Sequence, residues 1–229
     1  MNKKISYIDL KINISNIKDI IKLIINKKSP IRIFHNIFLK SIETKGTTID
    51  LGSGKHNSYL NFIKKNHDKI YFADKIYHNN ENLINLDLEK KLNISNEQYD
   101  TVLLFNVLEH IKNYKKLILE ISRITKKNGN VEIFVPFMHR YHEDPIDVMR
   151  PTHKYLEKII LESGLNIENI AIIGVGPLSI ISEIILKYFK FSFLKIPVFF
   201  ILLIINKIFK FLSKDYNTYY LGVHCSCKK

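Results

Sequence analysis

Two glycines and a series of acidic residues in the first half of the chain are the groups whose types and spacing suit ligand chemistry. Ile49-Asp50-Leu51-Gly52-Ser53-Gly54 follows a short apolar run and precedes a helical pattern. Small residues between a strand and a helix let backbone N–H groups come close to a ligand at the positive end of the helix. Asp74 closes the run Tyr71-Phe72-Ala73, 20 residues beyond Gly54. A carboxylate in that place can accept hydrogen bonds from both hydroxyls of a ribose. Asp87 follows Leu83-Ile84-Asn85-Leu86, and Glu109 lies in Asn106-Val107-Leu108-Glu109-His110 after another apolar run. Ligands of open α/β sheets sit beyond the carboxyl ends of the strands, so these side chains should converge on the mouth that the glycines line. Each has a plainer reading: Gly-x-Gly as a tight turn, Asp87 as a cap on the turn into Leu88, Glu109 as a charge at the sheet rim. The constellation says more than any one member.

The same turn argues against two other ligands. A dinucleotide fingerprint calls for a third glycine three residues after Gly54, where Asn57 stands, and the chain has no Gly-Lys-Ser/Thr phosphate loop. Neither a nicotinamide nucleotide nor ATP is supported.

A second chemical cluster runs from Pro136 to His153 and should leave the sheet on the side of the Gly-rich turn. His139 and His142 are candidate general bases, and Asp144 or Asp147 could orient one of them. Arg140 and Arg150, with Tyr141 beside them, suit a phosphate or carboxylate on a substrate. The plainer alternative is a solvated loop whose arginines pair with Glu143, Asp144 or Asp147.

These groups need a scaffold, and the hydrophobic pattern supplies one. Residues 12–28 and 31–42 read as helices expected to cover one edge of the sheet formed by the rest of the chain. Strands are then expected at 47–51, 70–73, 83–86, 101–105, 131–135, 170–175 and 219–227. Helices are expected at 57–66 and 113–125, with Asn128-Gly129-Asn130 as a turn and another helix from the N-cap Thr152 to Gly164. Short, nearly continuous apolar strands alternating with helices predict a Rossmann-like, doubly wound α/β domain. Its sheet would be seven-stranded, mainly parallel and covered on both faces. The implied division is a helical cap over 1–45 and a catalytic domain over 46–229, with an apolar helical insertion at 178–213.

Composition bounds the class. An apolar content of 46% over 229 residues is enough for one substantial core. A formal charge of +13 attracts phosphate, whether on nucleic acid, lipid or sugar. Cys225 and Cys227, two apart on an expected strand, are poorly placed for a disulfide and too few for a thiolate metal site, so no metal is expected. The first residues lack the long uncharged apolar region of a secretory signal, and a cytoplasmic location is expected. The insertion's purest apolar run, residues 196–205, is short and carries Pro197 near its start. A pair of interfacial helices with lysines at their edges, touching anionic membrane, is expected in place of a transmembrane helix, with a core cap or dimer face as the alternative.

Asp50-Leu51-Gly52-Ser53-Gly54 resembles the first motif of class I S-adenosylmethionine-dependent methyltransferases. Tyr99-Asp100-Thr101-Val102 with Val107-Leu108-Glu109-His110 resembles their fourth-strand signature, the likeness spanning about residues 45–176. It implies S-adenosyl-L-methionine as cofactor, with Gly52 and Gly54 beside its methionine part, Asp50 near the amino end, Asp74 on the ribose, and Asp87 with Leu88 at the adenine. Asn106 and Glu109 would complete the cofactor set. His56 stands where the family often has a third glycine. The loop after the fifth strand resembles that of a subgroup associated with surface-glycan and lipid-linked sugar pathways. This implies methylation, at oxygen, of a small-molecule, glycan or lipid-linked acceptor near the membrane. Nucleic-acid methylation fits less well, since neither an Asn-Pro-Pro-Tyr-type motif nor a Pro-Cys nucleophile is present. A membrane-binding module that retains the fold without the chemistry is the reading from another class.

Overall fold

The computed structural model describes residues 4–10, 12–54, 57–75, 82–143 and 146–229. Its frame is a sheet whose strands are β1 (Lys4–Ile8), β2 (Glu43–Leu51), β3 (Lys64–Asp74), β4 (Leu83–Asn85), β5 (Tyr99–Phe105), β6 (Thr125–Pro136), β7 (Asn166–Val175) and β8 (Tyr220–Lys228). They lie in the order β1-β7-β8-β6-β5-β2-β3-β4. Every pairing is parallel except those of β8 with β6 and β7. Among the described residues the sheet thus has eight strands and not the seven expected. The additional one is β1, which pairs with β7 from Lys4↔Asn169 to Ile8↔Ile173, so the segment expected as a helical cap also supplies an edge strand.

Side chains of the central strands alternate between two buried layers, as strand geometry requires. Val102, Leu104, Val131, Ile133 and Val223 face one side, where α3 (Tyr114–Ile124) and α4 (His153–Glu162) cover them with Leu117, Ile121, Leu156 and Ile160. Thr152 caps α4 by accepting a bond from the Tyr155 N–H at 3.3 Å, and Gly164 follows at φ +82°, both at the places its sequence signals. Leu103, Phe105, Phe134, Ala171 and Leu221 face the other side, under α1 (Ile14–Ile25), α2 (Pro30–Leu39), α5 (Pro177–Ile185) and α6 (Ser192–Leu212). The first two helices therefore cover a face of the sheet, where an edge was expected.

Two further expectations fail for local reasons. The helix expected over 57–66 shrinks to one 3-10 turn at Ser58–Asn61, because the chain from Lys64 onward is taken up by the β2 ladder, which runs from Glu43↔Lys64 to Leu51↔Ala73 with a one-residue shift after Gly46↔His67. A helix there would leave the edge of β2 without backbone partners. Pro197 does not break the apolar insertion: α6 runs through it for 21 residues and is long and apolar enough to cross a membrane. A proline early in a helix deletes a single hydrogen bond near the end where donors already lack partners.

Candidate cofactor and acceptor site

Strands β2, β3 and β5 end side by side, and the turn after β2 is pinned there. Gly52 and Ser53 N–H groups donate to the Ala73 carbonyl at 2.7 and 3.2 Å, and the Gly54 N–H donates to Asp74 Oδ2 at 2.8 Å. These three amides are engaged within the protein, and among the described residues the turn is followed only by the 3-10 turn Ser58–Asn61 and not by a helix of useful length. The contribution of the glycines is space. A Cβ on Gly52 would stand 2.4 Å from Val107 Cγ2, whereas a Cβ on Gly54 would meet no described atom within 4 Å. Both have positive φ, which glycine adopts without strain. His56 lies outside the described residues.

Around this opening the buried polar groups are incompletely paired. Ser53 Oγ and Asn106 Nδ2 are buried without hydrogen-bond partners among the described residues. Buried polar atoms are ordinarily satisfied, so a group of such orphans at the strand ends fits a polar ligand that supplies the missing bonds. Asn106 also holds φ +56°, a left-handed conformation, directly after β5. Beneath the turn Asp50 is 1% exposed and accepts a short bond from Tyr59 OH. Burial pushes its carboxyl up to about 7, against the Tyr59 bond and with a further contribution from Asp74.

The expected cofactor residues divide into two groups. Asp50, Gly52, Gly54, Asp74 and Asn106 surround the opening. Asp87 behaves as the plainer reading has it: Oδ1 accepts from the Glu89 N–H at 3.1 Å and Oδ2 pairs with Lys75 and Lys90 at 3.4 and 3.7 Å, while Leu88 is buried behind it. Glu109 lies against the acceptor loop, its carbonyl bonded to the Val148 N–H at 2.8 Å and its carboxylate 3.8 Å from His110 Nε2. Burial raises its pKa to about 7, opposed by its own backbone N–H and by Arg150 and Arg32.

The loop after β6 folds over this edge. Arg150 grips Asp147 with two nitrogens, and Asp147 also accepts from the His142 N–H at 3.1 Å. Burial opposes ionisation of Asp147, yet the Arg150 and His142 bonds hold it below the usual carboxylate range. The ring of His142 stands 5.1 Å from that of His110 and 5.1 Å from that of His139. Burial keeps His142 below the usual imidazole range, so it is neutral at pH 7, although the Arg140 carbonyl works the other way. Tyr141 is exposed and bonds Glu143 at 2.6 Å. A cavity of about 240 Å³ is lined by His139, Tyr141, Asp147, Val148, Met149 and Arg150. A larger one of about 450 Å³ lies on the far side of the turn, between α1 and residues 58–62, away from these groups.

Asp144, expected to orient a histidine, lies outside the described residues. The acid that meets His139 is Glu183 of α5, its Oε1 2.8 Å from His139 Nδ1 and its Oε2 accepting from the Ile31 N–H at 2.8 Å. Only one signal marks Glu183 in the sequence: it is the single charged residue in a stretch otherwise of apolar residues and two serines.

A family model described as a methyltransferase domain matches residues 26–169. A comparison with curated proteins gives no match. Among solved structures, an S-adenosylmethionine-dependent methyltransferase from Archaeoglobus fulgidus superposes with a TM-score of 0.53 at 14% identity, over 89% of this chain and 96% of its own. Phosphoethanolamine N-methyltransferase 2 of Haemonchus contortus, solved with S-adenosyl-L-methionine, gives 0.51 at 15% over 85% and 52%. The cyclase SpnF gives 0.54 at 11% over 87% and 81%, so likeness at this level speaks for the fold. With the family model covering more than half of its length, the chain belongs to the methyltransferase-domain family and is a class I S-adenosylmethionine-dependent methyltransferase.

Proposed function

We propose that this methyltransferase methylates an oxygen of a small-molecule, glycan or lipid-linked acceptor at the inner face of an anionic membrane. The observation that carries the cofactor side is the set of unpaired buried atoms, Ser53 Oγ and Asn106 Nδ2, beside Gly54, where a Cβ would meet no described atom within 4 Å. Gly52 and Gly54 would border the methionine portion and Asp50 its amino end. Asp74 would exchange its bond to Gly54 for the ribose hydroxyls, with Leu88 and Asp87 at the adenine. The cofactor supplies a methyl group on a positively charged sulfur.

Transfer of that methyl is an in-line displacement, for which positioning contributes most and a base that removes the hydroxyl proton contributes further. His139, its Nδ1 2.8 Å from Glu183 Oε1, lines the acceptor cavity and suits the base role, and His142, with its ring 5.1 Å from that of His139, is the second candidate where no cation occupies its lone pair. Arg140 is an arm for a phosphate or carboxylate, whereas Arg150 is committed to Asp147 and would bind through its remaining nitrogen, Nη1, which has no partner.

The membrane side rests on α5 and α6. Phe193, Ile201, Ile204, Ile208, Phe211 and Leu212 are all more than half exposed, and Lys187, Lys190, Lys195, Lys207 and Lys210 flank them. An apolar face edged by lysines suits the headgroup region of anionic lipid. Although α6 is long enough to span a bilayer, it is tied to the body. Asn206 Nδ2 donates to the Val175 carbonyl at 2.8 Å, and Lys210 pairs with Asp9 at 2.8 Å. Those ties favour a helix lying on the surface.

Calorimetric titration with S-adenosylmethionine tests the cofactor assignment. Wild type should bind saturably and Asp74→Ala at least about tenfold more weakly, the loss of two charge-assisted bonds being worth more than about 1.4 kcal/mol. Absence of binding to folded wild type would remove the reading.

A further inference from the structure

We propose that Glu109, His110 and His142 bind one divalent transition-metal ion of the zinc type at the edge of the acceptor cavity. One ligand atom from each residue lies within 4.8 Å of the other two. Donors on a common ion at about 2.1 Å are separated by roughly 3–4 Å, so a contraction of about 1 Å assembles the site.

The hydrogen bonding shows what this trio lacks. Glu109 is fully buried, and neither carboxylate oxygen has a partner. His110 Nδ1 lies 2.5 Å from the Ile146 carbonyl, which can only accept, so the proton is on Nδ1 and the lone pair on Nε2. That Nε2 stands 3.8 Å from Glu109 Oε1, too far for a hydrogen bond between them. His142 repeats the arrangement, with Nδ1 3.3 Å from the Arg140 carbonyl and 3.5 Å from Asp147 Oδ2. Arg150 Nη2 also stands 3.3 Å from this nitrogen, but its two protons have acceptors in Asp147 Oδ2 and the Arg140 carbonyl, which leaves the Nδ1 proton to His142. A carbonyl or carboxylate behind Nδ1 is the usual outer support of a metal-bound imidazole, since it fixes the tautomer that leaves Nε2 free. Two unpaired carboxylate oxygens, the lone pair of His110 Nε2 and a ring nitrogen of His142 thus gather in one small volume, a donor set that suits a cation.

Two imidazoles and one carboxylate favour zinc, manganese, iron or cobalt over magnesium and calcium, which prefer all-oxygen sets. Three protein ligands leave at least one open position, as catalytic zinc sites do. The oxygen-bearing acceptor would fill it, a step that rests on the methyl-transfer reading; the ion site does not. Spacing alone hides this set, because Glu109 and His110 are adjacent while His142 comes from a distant loop.

The test uses chelator-treated full-length protein, titrated with Zn²⁺ by calorimetry and with Co²⁺ by visible absorption, beside Glu109→Gln, His142→Ala and the control His67→Ala. One equivalent should bind to wild type and to the control, with the cobalt spectrum of a low-coordinate site. Each of the two ligand variants should bind about tenfold or more weakly, with the circular dichroism of a folded protein in both and, in His142→Ala, an S-adenosylmethionine affinity within about threefold of wild type. No saturable metal binding by wild type, or undiminished binding by both variants, would overturn the site whatever the cofactor titration gives.

Discussion

At the scale of the residue, Asp50 makes the sharpest prediction. Its folded-state pKa of about 7 stands well above the 3.8 of the exposed group, because burial outweighs the bond from Tyr59. Between about pH 4 and 7 the cofactor-free folded protein holds a proton that the unfolded chain has released. Its stabilising contribution is complete below pH 4 and is lost as pH rises through 7, at up to about 1.4 kcal/mol per unit. Denaturant unfolding at a series of pH values should show this fall in wild type and a shallower one in Asp50→Asn. Equal slopes would mean that Asp50 is ionised in the folded protein. His35 acts in the opposite sense. Buried, stacked on Phe134 and 3.1 Å from His224, it is held well below the usual imidazole range, so its contribution is lost as pH falls below about 6.5.

At the scale of the element, the buried polar tie that positions α6 is Asn206, with Lys210 on Asp9 as a half-exposed second. Asn206 donates to the Val175 carbonyl and accepts from the Leu178 N–H at 3.1 Å, joining the end of β7, the start of α5 and the middle of α6. Gly176 makes room for it: a Cβ there would stand 2.4 Å from Asn206 Oδ1, at a φ of +96° that already disfavours other residues. Asn206→Ala leaves the Leu178 N–H without its partner, while the Val175 carbonyl keeps Ser179 Oγ at 2.9 Å and Tyr216 OH at 3.3 Å, and should cost about 1–3 kcal/mol. Hydrogen exchange should rise through Ser192–Leu212 while the strands of the sheet remain protected. Loss of stability without local opening would show that α6 is held by its apolar contacts at Phe199 and Leu203.

At the scale of the whole molecule, charge and the exposed helical face act together. Vesicles containing phosphatidylglycerol should retain the protein more strongly than phosphatidylcholine vesicles, and salt should weaken that retention. Ile204→Glu with Ile208→Glu, both on exposed positions of α6, should reduce retention about tenfold or more without altering S-adenosylmethionine affinity. Retention that ignores lipid charge and both substitutions would leave α6 to another role. Sedimentation of the same pair of proteins without lipid reports whether the face instead joins two copies.

Local signals in the chain settle one part of this architecture. Apolar runs ending in Asp50, Asp74 and Asn106 announce strands that end at one mouth, since strand direction follows from the alternation with helices, and Thr152 and Gly164 bound α4 by side-chain chemistry close at hand. Packing settles the features that depend on partners distant in the chain. Residues 64–69 are strand because β2 needs them, β1 exists because β7 offers an edge, and α6 survives Pro197 because the body anchors its far half. Glu183 meets His139, and Glu109 meets His142, only after α5 and the loop following β6 fold over the sheet. Periodicity reports which face of an element is buried, whereas contacts across such separations depend on how the packed layers bring those faces together.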